Sequence, residues 1–342
     1  MRIGSVVLGN KIIGHNSPTF IIAEAGINHN GDSTIAKKMI QAAAKCRADA
    51  IKFQTFSADK IVDSKEKSYE IFKNLEFDAD TWYQLKNFCD EQDIIFLSSV
   101  FDEENADLMD ELGIEAFKIA SGDLTHFPLI EYVSMKDKPI ILSTGMSTLD
   151  EIQNAVDFIT RVNNQLILMH CISLYPTEMR YVNLNFLTTL QNNFDFPIGF
   201  SDHTLGISIP IAAVAMGAKV IEKHFTLDKS LSGPDQNLSL DIAEFSSMVS
   251  AIKDIEKALG NGKRKISEEE LQVKAIARRS LFTSKFIQKG KELSKKNLIA
   301  KRPGTGISPV FWEKVTNLIA KENLEKGIML KWDQLIDKND SN

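Results

Sequence analysis

The segment Gly199-Phe-Ser-Asp-His-Thr204, followed by Ile221-Glu-Lys-His-Phe-Thr226, decides the fold. Each of its two apolar runs predicts a short buried strand, and the Ala-, Ile- and Val-rich residues 207–217 between them predict a helix. A strand, a helix and a second strand in this order form one unit of a parallel sheet. The unit puts His203 and His224 at equivalent positions, at the ends of neighbouring strands.

These two histidines form a candidate metal site. The carboxyl ends of adjacent parallel strands meet at one edge of a sheet, and imidazole is a common ligand of divalent metals. Asp202 and Asp235 lie close by in the sequence. The alternative is a pair of hydrogen-bonded histidines at a strand edge. For either histidine considered alone, this alternative is the favoured interpretation. The matched pair instead predicts that His203 and His224 bind a metal ion.

Composition excludes several classes of protein. A net charge of −6 over 342 residues provides no basic field for nucleic acid. No apolar run reaches the roughly 20 residues that cross a bilayer, and the N-terminus lacks the apolar segment of a signal peptide. Three widely spaced cysteines, Cys46, Cys89 and Cys171, indicate a reducing cytoplasm rather than a disulfide framework. Cys171 fits a buried small residue better than a nucleophile.

Apolar strands alternate with helical patterns along the first 260 residues. Eight strand-helix units in roughly 240 residues match the size of a TIM barrel, so the predicted fold class is α/β with a closed parallel barrel. A doubly wound open sheet is the alternative, but no Gly-rich phosphate fingerprint accompanies the units. The predicted strands are residues 20–26, 50–55, 94–99, 116–121, 139–144, 166–171, 197–201 and 219–225.

Polar side chains recur at the ends of nearly all these strands. In a closed barrel one face of each strand packs on helices and the other faces the axis, and active sites lie at the carboxyl ends of the strands. Buried charges are costly unless they are paired or used. A structural salt-bridge layer is the alternative to an active site, but it explains so wide a recurrence less well. The polar set is Glu24, Lys52, Gln54, Ser99, Lys118, Ser121, Ser143, His170, Ser201, His203 and His224.

The composition changes after residue 260. Residues 1–260 are predicted as the barrel domain, with residues 1–18 as a preface that contains a hairpin at Gly9-Asn10. Residues 261–278 are polar and charged, which indicates a linker. Residues 279–342 hold two Lys-Gly turns followed by short apolar runs, which predicts a small β-rich domain with a thin core.

The residue types at the predicted barrel mouth indicate a chemistry. Lysines supply charge and serine hydroxyls supply directed donors, which suits a phosphate together with a carboxylate. A metal ion held by two histidines could polarise an aldehyde carbonyl. Glu24 is a candidate proton carrier. An anionic three-carbon donor and a metal-activated aldehyde together predict carbon–carbon bond formation.

Motifs along nearly the whole chain closely resemble those of the sialic acid synthases, and residues 279–342 resemble their SAF (antifreeze-like) domain. The motifs are Glu24-Ala-Gly-Ile-Asn-His-Asn-Gly31, Lys52-Phe-Gln54, Lys118-Ile-Ala-Ser-Gly-Asp123, Leu142-Ser-Thr-Gly-Met146, His170-Cys171, Tyr175-Pro-Thr177, Ser201-Asp-His-Thr204, His224-Phe-Thr226, Gly233-Pro-Asp235 and Lys301-Arg-Pro-Gly304.

The resemblance implies a condensation of phosphoenolpyruvate with open-chain N-acetylmannosamine or a related acetamido sugar, with release of phosphate. It implies Mn²⁺ at His203 and His224, with Mg²⁺ or Co²⁺ as alternatives, and catalysis by these histidines and Glu24. It also implies a domain-swapped homodimer in which Arg302 reaches the partner's site. The implied phosphoenolpyruvate-binding residues are Lys52, Ser99, Lys118, Ser121, Ser143, Ser173 and Ser201. The implied sugar-binding residues are Gln54, Phe101, Tyr175, Asp235 and Arg302.

Some positions depart from the pattern of the family. Ser173 replaces an Asn of some members, and Gln236 stands where His is common, so the sugar pocket is expected to differ in detail. The motifs that begin at Glu24 and Lys118 fit neuraminate or legionaminate synthases better than pseudaminate synthases. The choice between N-acetylmannosamine and the diacetamido sugar of a legionaminate synthase stays open.

Two other functions compete with a synthase. A metal-dependent hydrolase on the same barrel would usually carry a His-x-His on its first strand, and residues 20–26 have none. A non-catalytic protein whose small domain binds ice or carbohydrate would have no cause to bury Lys52, Lys118 and two histidines. A test that separates the three is phosphate release that requires phosphoenolpyruvate, an amino sugar and a divalent ion together.

Overall fold

The computed structural model describes residues 4–338. The chain divides into two compact units, Met1–Gly260 and Asn261–Asn342. No helix in the described part of the chain combines the length and the apolar character needed to cross a bilayer.

Strands and helices alternate along the first unit. Its strands are β1 (Val6–Leu8), β2 (Lys11–Ile13), β3 (Phe20–Gly26), β4 (Ala50–Thr55), β5 (Ile95–Val100), β6 (Phe117–Ile119), β7 (Ile140–Ser143), β8 (Leu166–Cys171), β9 (Ile198–Asp202) and β10 (Val220–His224). Its α-helices are α1 (Ser33–Lys45), α2 (Ala58–Ile61), α3 (Tyr69–Lys73), α4 (Ala79–Glu91), α5 (Glu103–Glu111), α6 (Phe127–Ser134), α7 (Leu149–Ile159), α8 (Asn185–Asn193), α9 (Ser208–Ala215) and α10 (Ile242–Leu259).

The eight strands from β3 to β10 form a closed parallel barrel in the order β10-β3-β4-β5-β6-β7-β8-β9. Closure follows because β10 pairs with both β9 and β3. The predicted TIM-barrel fold is therefore confirmed, and the open-sheet alternative is excluded.

The barrel has two apolar layers. Outward-facing strand residues such as Phe53, Phe117 and Ile221 pack against the helices in the main core. A second cluster fills the amino-terminal half of the barrel interior with residues such as Leu97, Ile141 and Val220. Side chains of β1 and β2 join this inner cluster, so the N-terminal hairpin closes the lower end of the barrel. The predicted hairpin turn at Gly9-Asn10 is present.

Helix starts carry the capping residues that their sequences provide. Asp32 accepts hydrogen bonds from two backbone amides at the start of α1. Thr148 and Glu151 form a reciprocal capping box at the start of α7, and Asp241 and Glu244 do the same for α10. Such caps satisfy amides that have no partner inside the helix, and each contributes about 1 kcal/mol.

The second unit contains short strands around a small apolar core. Its elements are the helices α11 (Glu268–Ala277) and α12 (Trp312–Thr316) and the strands β11 (Ser280–Thr283), β12 (Leu298–Lys301), β13 (Leu318–Ala320) and β14 (Leu335–Asp337). Two antiparallel pairs, β11 with β12 and β13 with β14, surround side chains such as Leu281 and Leu330.

The segment predicted as a linker, residues 261–278, contains α11 and belongs to the second unit, which corrects that prediction. The physical reason is local. Ser267 caps the helix, and three glutamates in its first turn interact favourably with the helix dipole. None of its side chains is buried, so the polar composition that suggested a linker reflects an exposed helix.

Candidate active site

A cavity of about 710 Å³ opens at the carboxyl ends of the barrel strands. Its size suits two small substrates together. It gathers thirteen of the fifteen predicted site residues, which come from loops and strands far apart in the sequence. They are Glu24, Lys52, Gln54, Ser99, Phe101, Lys118, Ser121, Ser143, Ser173, Tyr175, Ser201, His203 and His224.

The remaining two predicted residues, Asp235 and Arg302, do not line this cavity. Asp235 is half-buried beside it, with its Oδ2 atom 3.8 Å from Nδ1 of His224. Arg302 follows β12 in the second unit and is exposed. Its predicted contact with a partner subunit stays a prediction.

Lys52 lies at the centre of the polar floor of the cavity. Its Nζ atom is 2.7 Å from Oε2 of Glu24, and it donates a hydrogen bond to the Ser99 hydroxyl at 3.0 Å. The three residues belong to the consecutive strands β3, β4 and β5, so the barrel order brings them together. All three side chains are almost completely buried.

Glu222 is a charged residue of this site for which the sequence predicted no role. Its Oε1 atom accepts a hydrogen bond from Ser201 at 2.8 Å and lies 3.3 Å from Nζ of Lys118. Its Oε2 atom lies 3.7 Å from Nζ of Lys52. Glu222 therefore bridges the two lysines. The sequence could have predicted that Glu222 faces the cavity, because it lies two residues before His224 and therefore on the same face of the strand.

The two buried carboxylates have opposite pKa shifts. Burial raises the pKa of Glu24 to about 7, against the lowering effect of Lys52. Burial alone would also raise the pKa of Glu222, but Lys118 and Lys52 together hold it at about 2. Near neutral pH, Glu222 is therefore ionised while Glu24 exchanges a proton readily. Divergent pKa values in one site are typical of assigned acid and base roles.

Hydroxyl groups line the side of the cavity beyond Lys118. A Cβ atom on Gly145 would lie 2.3 Å from Oγ of Ser173 and 2.8 Å from Oγ of Ser121, so only glycine allows the backbone to approach these serines. The Gly145 amide donates to Ser121 at 3.0 Å. The Ser143 hydroxyl is buried without a hydrogen-bond partner within the described residues. This wall can therefore supply donors to an anion.

The two histidines lie side by side at the rim, with ring centroids 5.3 Å apart. Nδ1 of His203 is 2.7 Å from the Ile172 carbonyl oxygen, which orients the ring and leaves Nε2 available. Burial, followed by the nearby His203, lowers the pKa of His224 well below its usual value, so this ring is neutral. Its Nδ1 atom is buried without a hydrogen-bond partner among the described residues.

These observations fit a divalent metal ion bound by two imidazoles. Within residues 4–338, no group of three or more His, Cys, Asp and Glu side chains is arranged to hold one. A metal ion here would therefore complete its coordination with oxygen atoms of water or substrate.

Two other residues considered in the sequence, Cys171 and Tyr175, lie near the histidines. Cys171 is buried as predicted, and it also lines the cavity, with its Sγ atom 4.0 Å from Nδ1 of His203. The Tyr175 ring packs against the His203 ring in a tilted arrangement with centroids 4.1 Å apart, and 53% of the Tyr175 surface is exposed.

His170 does not belong to the polar mouth, which corrects its place in the predicted set. Its Nε2 atom is bonded to the Val182 carbonyl at 2.8 Å, and its ring packs against Phe186 and Phe200. Met169 belongs to the inner cluster, so strand alternation turns His170 towards the helices.

Gln236 is buried and does not line the cavity, although the sequence linked it to the sugar pocket. Its amide donates to the Asn28 carbonyl at 2.9 Å, and its oxygen accepts from the Thr226 hydroxyl. Gln236 therefore links the loop after β10 to the loop after β3 by hydrogen bonds. The loop after β10 also contains Asp235.

One wall of the cavity is apolar, and the sequence did not predict it. The short helices α2 and α3 and the turn between them bring Ile61, Val62 and Phe72 next to the predicted Phe101. Phe56 packs edge-on against Phe72 at 5.3 Å and supports this wall from behind. Helices of four and five residues show no readable periodicity, so no signal in the sequence marks the wall. Other lining residues missed in the sequence are Lys60, Asp123, His126 and Met146.

Comparison with known proteins identifies the family of the chain. The NeuB family model matches residues 39–264, and the SAF domain model matches residues 278–336. An N,N'-diacetyllegionaminic acid synthase from Legionella pneumophila is 41% identical over 96% of this chain and 97% of its own length. A pseudaminic acid synthase from Campylobacter jejuni is 35% identical over 97% of this chain and 98% of its own length.

A solved structure extends the comparison to the fold. The crystal structure of N-acetylneuraminic acid (sialic acid) synthetase from Leptospira borgpetersenii in complex with citrate is 38% identical, with a TM-score of 0.77. The match covers 80% of this chain and 95% of that chain. The chain therefore belongs to the NeuB family of sialic acid synthases and carries a SAF domain in its C-terminal unit.

Proposed function

We propose that the protein joins phosphoenolpyruvate to the aldehyde carbon of an open-chain acetamido sugar. C3 of phosphoenolpyruvate forms the new bond to that carbon, and the aldehyde oxygen gains a proton. Water adds at C2 and loses a proton, and the C2–O bond to phosphate then breaks. The products are a nonulosonic acid and inorganic phosphate. The observation that carries this proposal is that one cavity contains Lys52, Lys118, a row of hydroxyls and two imidazoles.

Phosphoenolpyruvate would occupy the lysine-rich side of the cavity. Lys52 and Lys118 provide charge, and the Ser143 hydroxyl, which has no hydrogen-bond partner within residues 4–338, provides a donor. Ser99, Ser121, Ser173 and Ser201 complete the donor set. Glu222 keeps both lysines in place before the anion arrives, because it contacts both of them.

His203 and His224 would hold the divalent ion, with Mn²⁺ the first expectation and Mg²⁺ or Co²⁺ the alternatives. When bound, such an ion polarises an aldehyde carbonyl as a Lewis acid. The Ile172 carbonyl keeps Nε2 of His203 directed to the site. Glu24 is the proton carrier, because a carboxyl group with a pKa near 7 can both donate and accept a proton near neutral pH.

We infer that the acceptor is a diacetamido-trideoxy sugar of the legionaminate type. The wall formed by Ile61, Val62, Phe72 and Phe101 favours an apolar group such as a methyl over a hydroxyl. The 41% identity to a legionaminic acid synthase supports the same choice. N-acetylmannosamine is the second candidate, since the solved synthetase with 38% identity is described as a sialic acid enzyme.

Phosphate release tests the reaction. We expect release only when phosphoenolpyruvate, an acetamido sugar and a divalent ion are all present, with EDTA abolishing it. Release from phosphoenolpyruvate without any sugar would contradict the proposed condensation. Comparing the diacetamido sugar with N-acetylmannosamine in the same assay tests the sugar. A larger kcat/KM for N-acetylmannosamine would overturn our choice.

We further propose a cytoplasmic, domain-swapped homodimer in which Arg302 contacts the N-acyl group in the partner's site. The three free cysteines support a reducing compartment. Mixing two inactive variants, Arg302→Ala and Glu24→Gln, tests the swap. A mixed dimer would contain one barrel with Glu24 that receives Arg302 from the other subunit, so activity should return. Arg302→Lys serves as the conservative control. No recovery on mixing would contradict a contribution in trans.

A further inference from the structure

A buried ion pair lies behind the two histidines, on the outer face of the barrel wall. Nζ of Lys223 is 2.5 Å from Oδ2 of Asp202, and neither side chain is exposed at all, at 0% each. Around them the outward faces of β9 and β10 are apolar, with Phe200 and Ile221 in the main core. This ion pair is therefore a charged feature in a largely apolar layer.

The pair is bonded to the chain on both sides of His203. Asp202 immediately precedes His203, and Lys223 immediately precedes His224. Oδ1 of Asp202 accepts from the Thr204 amide at 3.0 Å, and Oδ2 accepts from the Thr204 hydroxyl at 3.0 Å. Lys223 also donates to the Thr204 carbonyl oxygen. Asp202 and Thr204, which flank His203, are thus both bonded to Lys223, which immediately precedes His224.

Strand pairing alone does not fix His203 relative to His224. The register between β9 and β10 ends at Asp202 and Lys223, so His203 lies one residue beyond the paired strands. The ion pair begins where this backbone ladder ends. The ion pair, and no longer the backbone ladder, therefore aligns the two chain segments at the position where the imidazoles face the cavity.

Stability does not explain the pair. Removing two charges from water is costly, and well-packed apolar side chains in the same place are often as stable or more stable. The neighbouring apolar layer would accept such side chains. A role in geometry accounts for a charge pair at this position, because ionic hydrogen bonds have a defined direction and length.

We propose that Asp202 and Lys223 are positioning residues that fix the spacing and orientation of the His203 and His224 imidazoles. This inference rests on the proposed function, in which the two rings share a metal ion. The pair acts through Thr204 on one side and through the peptide bond to His224 on the other.

The experiment uses the full chain with Asp202→Val and Lys223→Met combined, which replaces the ion pair by apolar side chains. The matched control is Thr55→Val combined with Ser98→Ala, which removes the 2.6 Å hydrogen bond between two outward-facing, buried hydroxyls on β4 and β5. Electron paramagnetic resonance titration measures Mn²⁺ affinity. Imidazole ¹⁵N spectra of the metal-free protein, which has six histidines, report the tautomer and mobility of each ring.

We expect the apolar double variant to fold and to bind Mn²⁺ roughly 10- to 100-fold more weakly, as for other supports of metal ligands. Its His203 signals should shift and broaden in the metal-free protein, while the control keeps wild-type affinity and signals. Affinity within twofold of wild type, together with unchanged His203 signals, would overturn the proposal.

A milder variant keeps the test valid if the double variant fails to fold. Thr204→Val leaves the ion pair in place and removes one hydrogen bond to Asp202, so we expect roughly fivefold weaker Mn²⁺ binding. Unchanged binding and unchanged His203 signals in this variant would also overturn the proposal. If the wild-type protein binds no Mn²⁺, the metal part of the proposed function fails, and the metal-free ¹⁵N spectra still decide whether the pair positions the rings.

Discussion

The two halves of the barrel interior differ sharply although the same strands build them. On each strand, or directly before it, an apolar or small residue of the lower half is followed, two positions later, by a polar residue or a thiol of the upper half. The pairs are Ile22 and Glu24, Ala50 and Lys52, Leu97 and Ser99, Ala116 and Lys118, Ile141 and Ser143, Met169 and Cys171, Gly199 and Ser201, and Val220 and Glu222. The lower half is a packed core, and the upper half contains buried charge.

Residues that stabilise the barrel and residues that line the proposed active site therefore lie only about two positions apart on each strand. The lower members are close-packed: a Cβ atom on Gly199, for example, would lie 2.3 Å from Sδ of Met169. Apart from the Cys171 thiol, the upper members are buried charges and hydroxyls, which cost stability unless they are paired. Substitutions in the lower half should therefore affect folding alone, and those in the upper half should affect activity more than folding.

The largest effect is expected from Glu24→Gln in the upper half. Glutamine keeps the shape of the side chain but cannot transfer a proton, so kcat should fall roughly 10³-fold. Steady-state kinetics with circular dichroism and Mn²⁺ binding would check that fold and metal site persist. Near-normal turnover would remove Glu24 from the proton chemistry.

The same variant should change how stability depends on pH. The pKa of Glu24 is raised from 4.5 to about 7 on folding. The contribution of its protonated form to the free energy of unfolding is therefore fully present below pH 4.5 and is lost as the pH rises through 7. Glutamine does not titrate. The stability of Glu24→Gln relative to wild type should therefore rise by about 3 kcal/mol between pH 4.5 and pH 8.

Urea unfolding of both proteins at pH 5 and pH 8 would measure this change. The pKa of Glu222 is lowered to about 2, so its own contribution to stability is lost only as the pH falls between about 4.5 and 2, outside the measured range. Equal differences between wild type and Glu24→Gln at both pH values would show that Glu24 titrates normally in the folded state.

A smaller effect is expected from Lys118→Met. The substitution removes one of two charges proposed to bind phosphoenolpyruvate and leaves Glu222 with Lys52 and Ser201. The KM for phosphoenolpyruvate should rise roughly 10- to 100-fold, because hydrogen bonds to charged groups contribute about 1.5–3 kcal/mol. The KM for the sugar should change little. An increase confined to the sugar would place the anion elsewhere in the cavity.

The period of two along each strand made the upper half largely predictable from sequence. Lys52, Lys118 and Ser201 alternate with apolar neighbours, so their faces and their common mouth followed from strand geometry. The same rule, applied from Met169, would have turned His170 outward. The role of Glu222 was harder to predict, because its contacts with Lys52 and Lys118 cross the barrel and depend on closure.

Other features had no sequence signal. Phe72 reaches the cavity from a five-residue helix, and its place depends on packing against Phe56 rather than on any pattern. The pairing of Asp202 with Lys223 likewise depends on how far the β9–β10 ladder extends, which a single strand pattern does not specify. Fold class therefore followed from local periodicity, while these contacts required the tertiary arrangement.

The finest test uses one strand, β7, where Ile141 and Ser143 stand two residues apart on the same face. Ile141→Val removes one methylene group from the packed lower half and should cost about 1 kcal/mol of unfolding free energy with unchanged kcat/KM. Ser143→Ala removes a hydroxyl that has no hydrogen-bond partner within the described residues, so it should leave stability unchanged and raise the KM for phosphoenolpyruvate about fivefold. Urea unfolding and steady-state kinetics on both variants would measure the two effects separately. If Ile141→Val altered KM as much as Ser143→Ala did, the two halves would not be energetically independent, because a change in core packing would then reach the donors through a single strand.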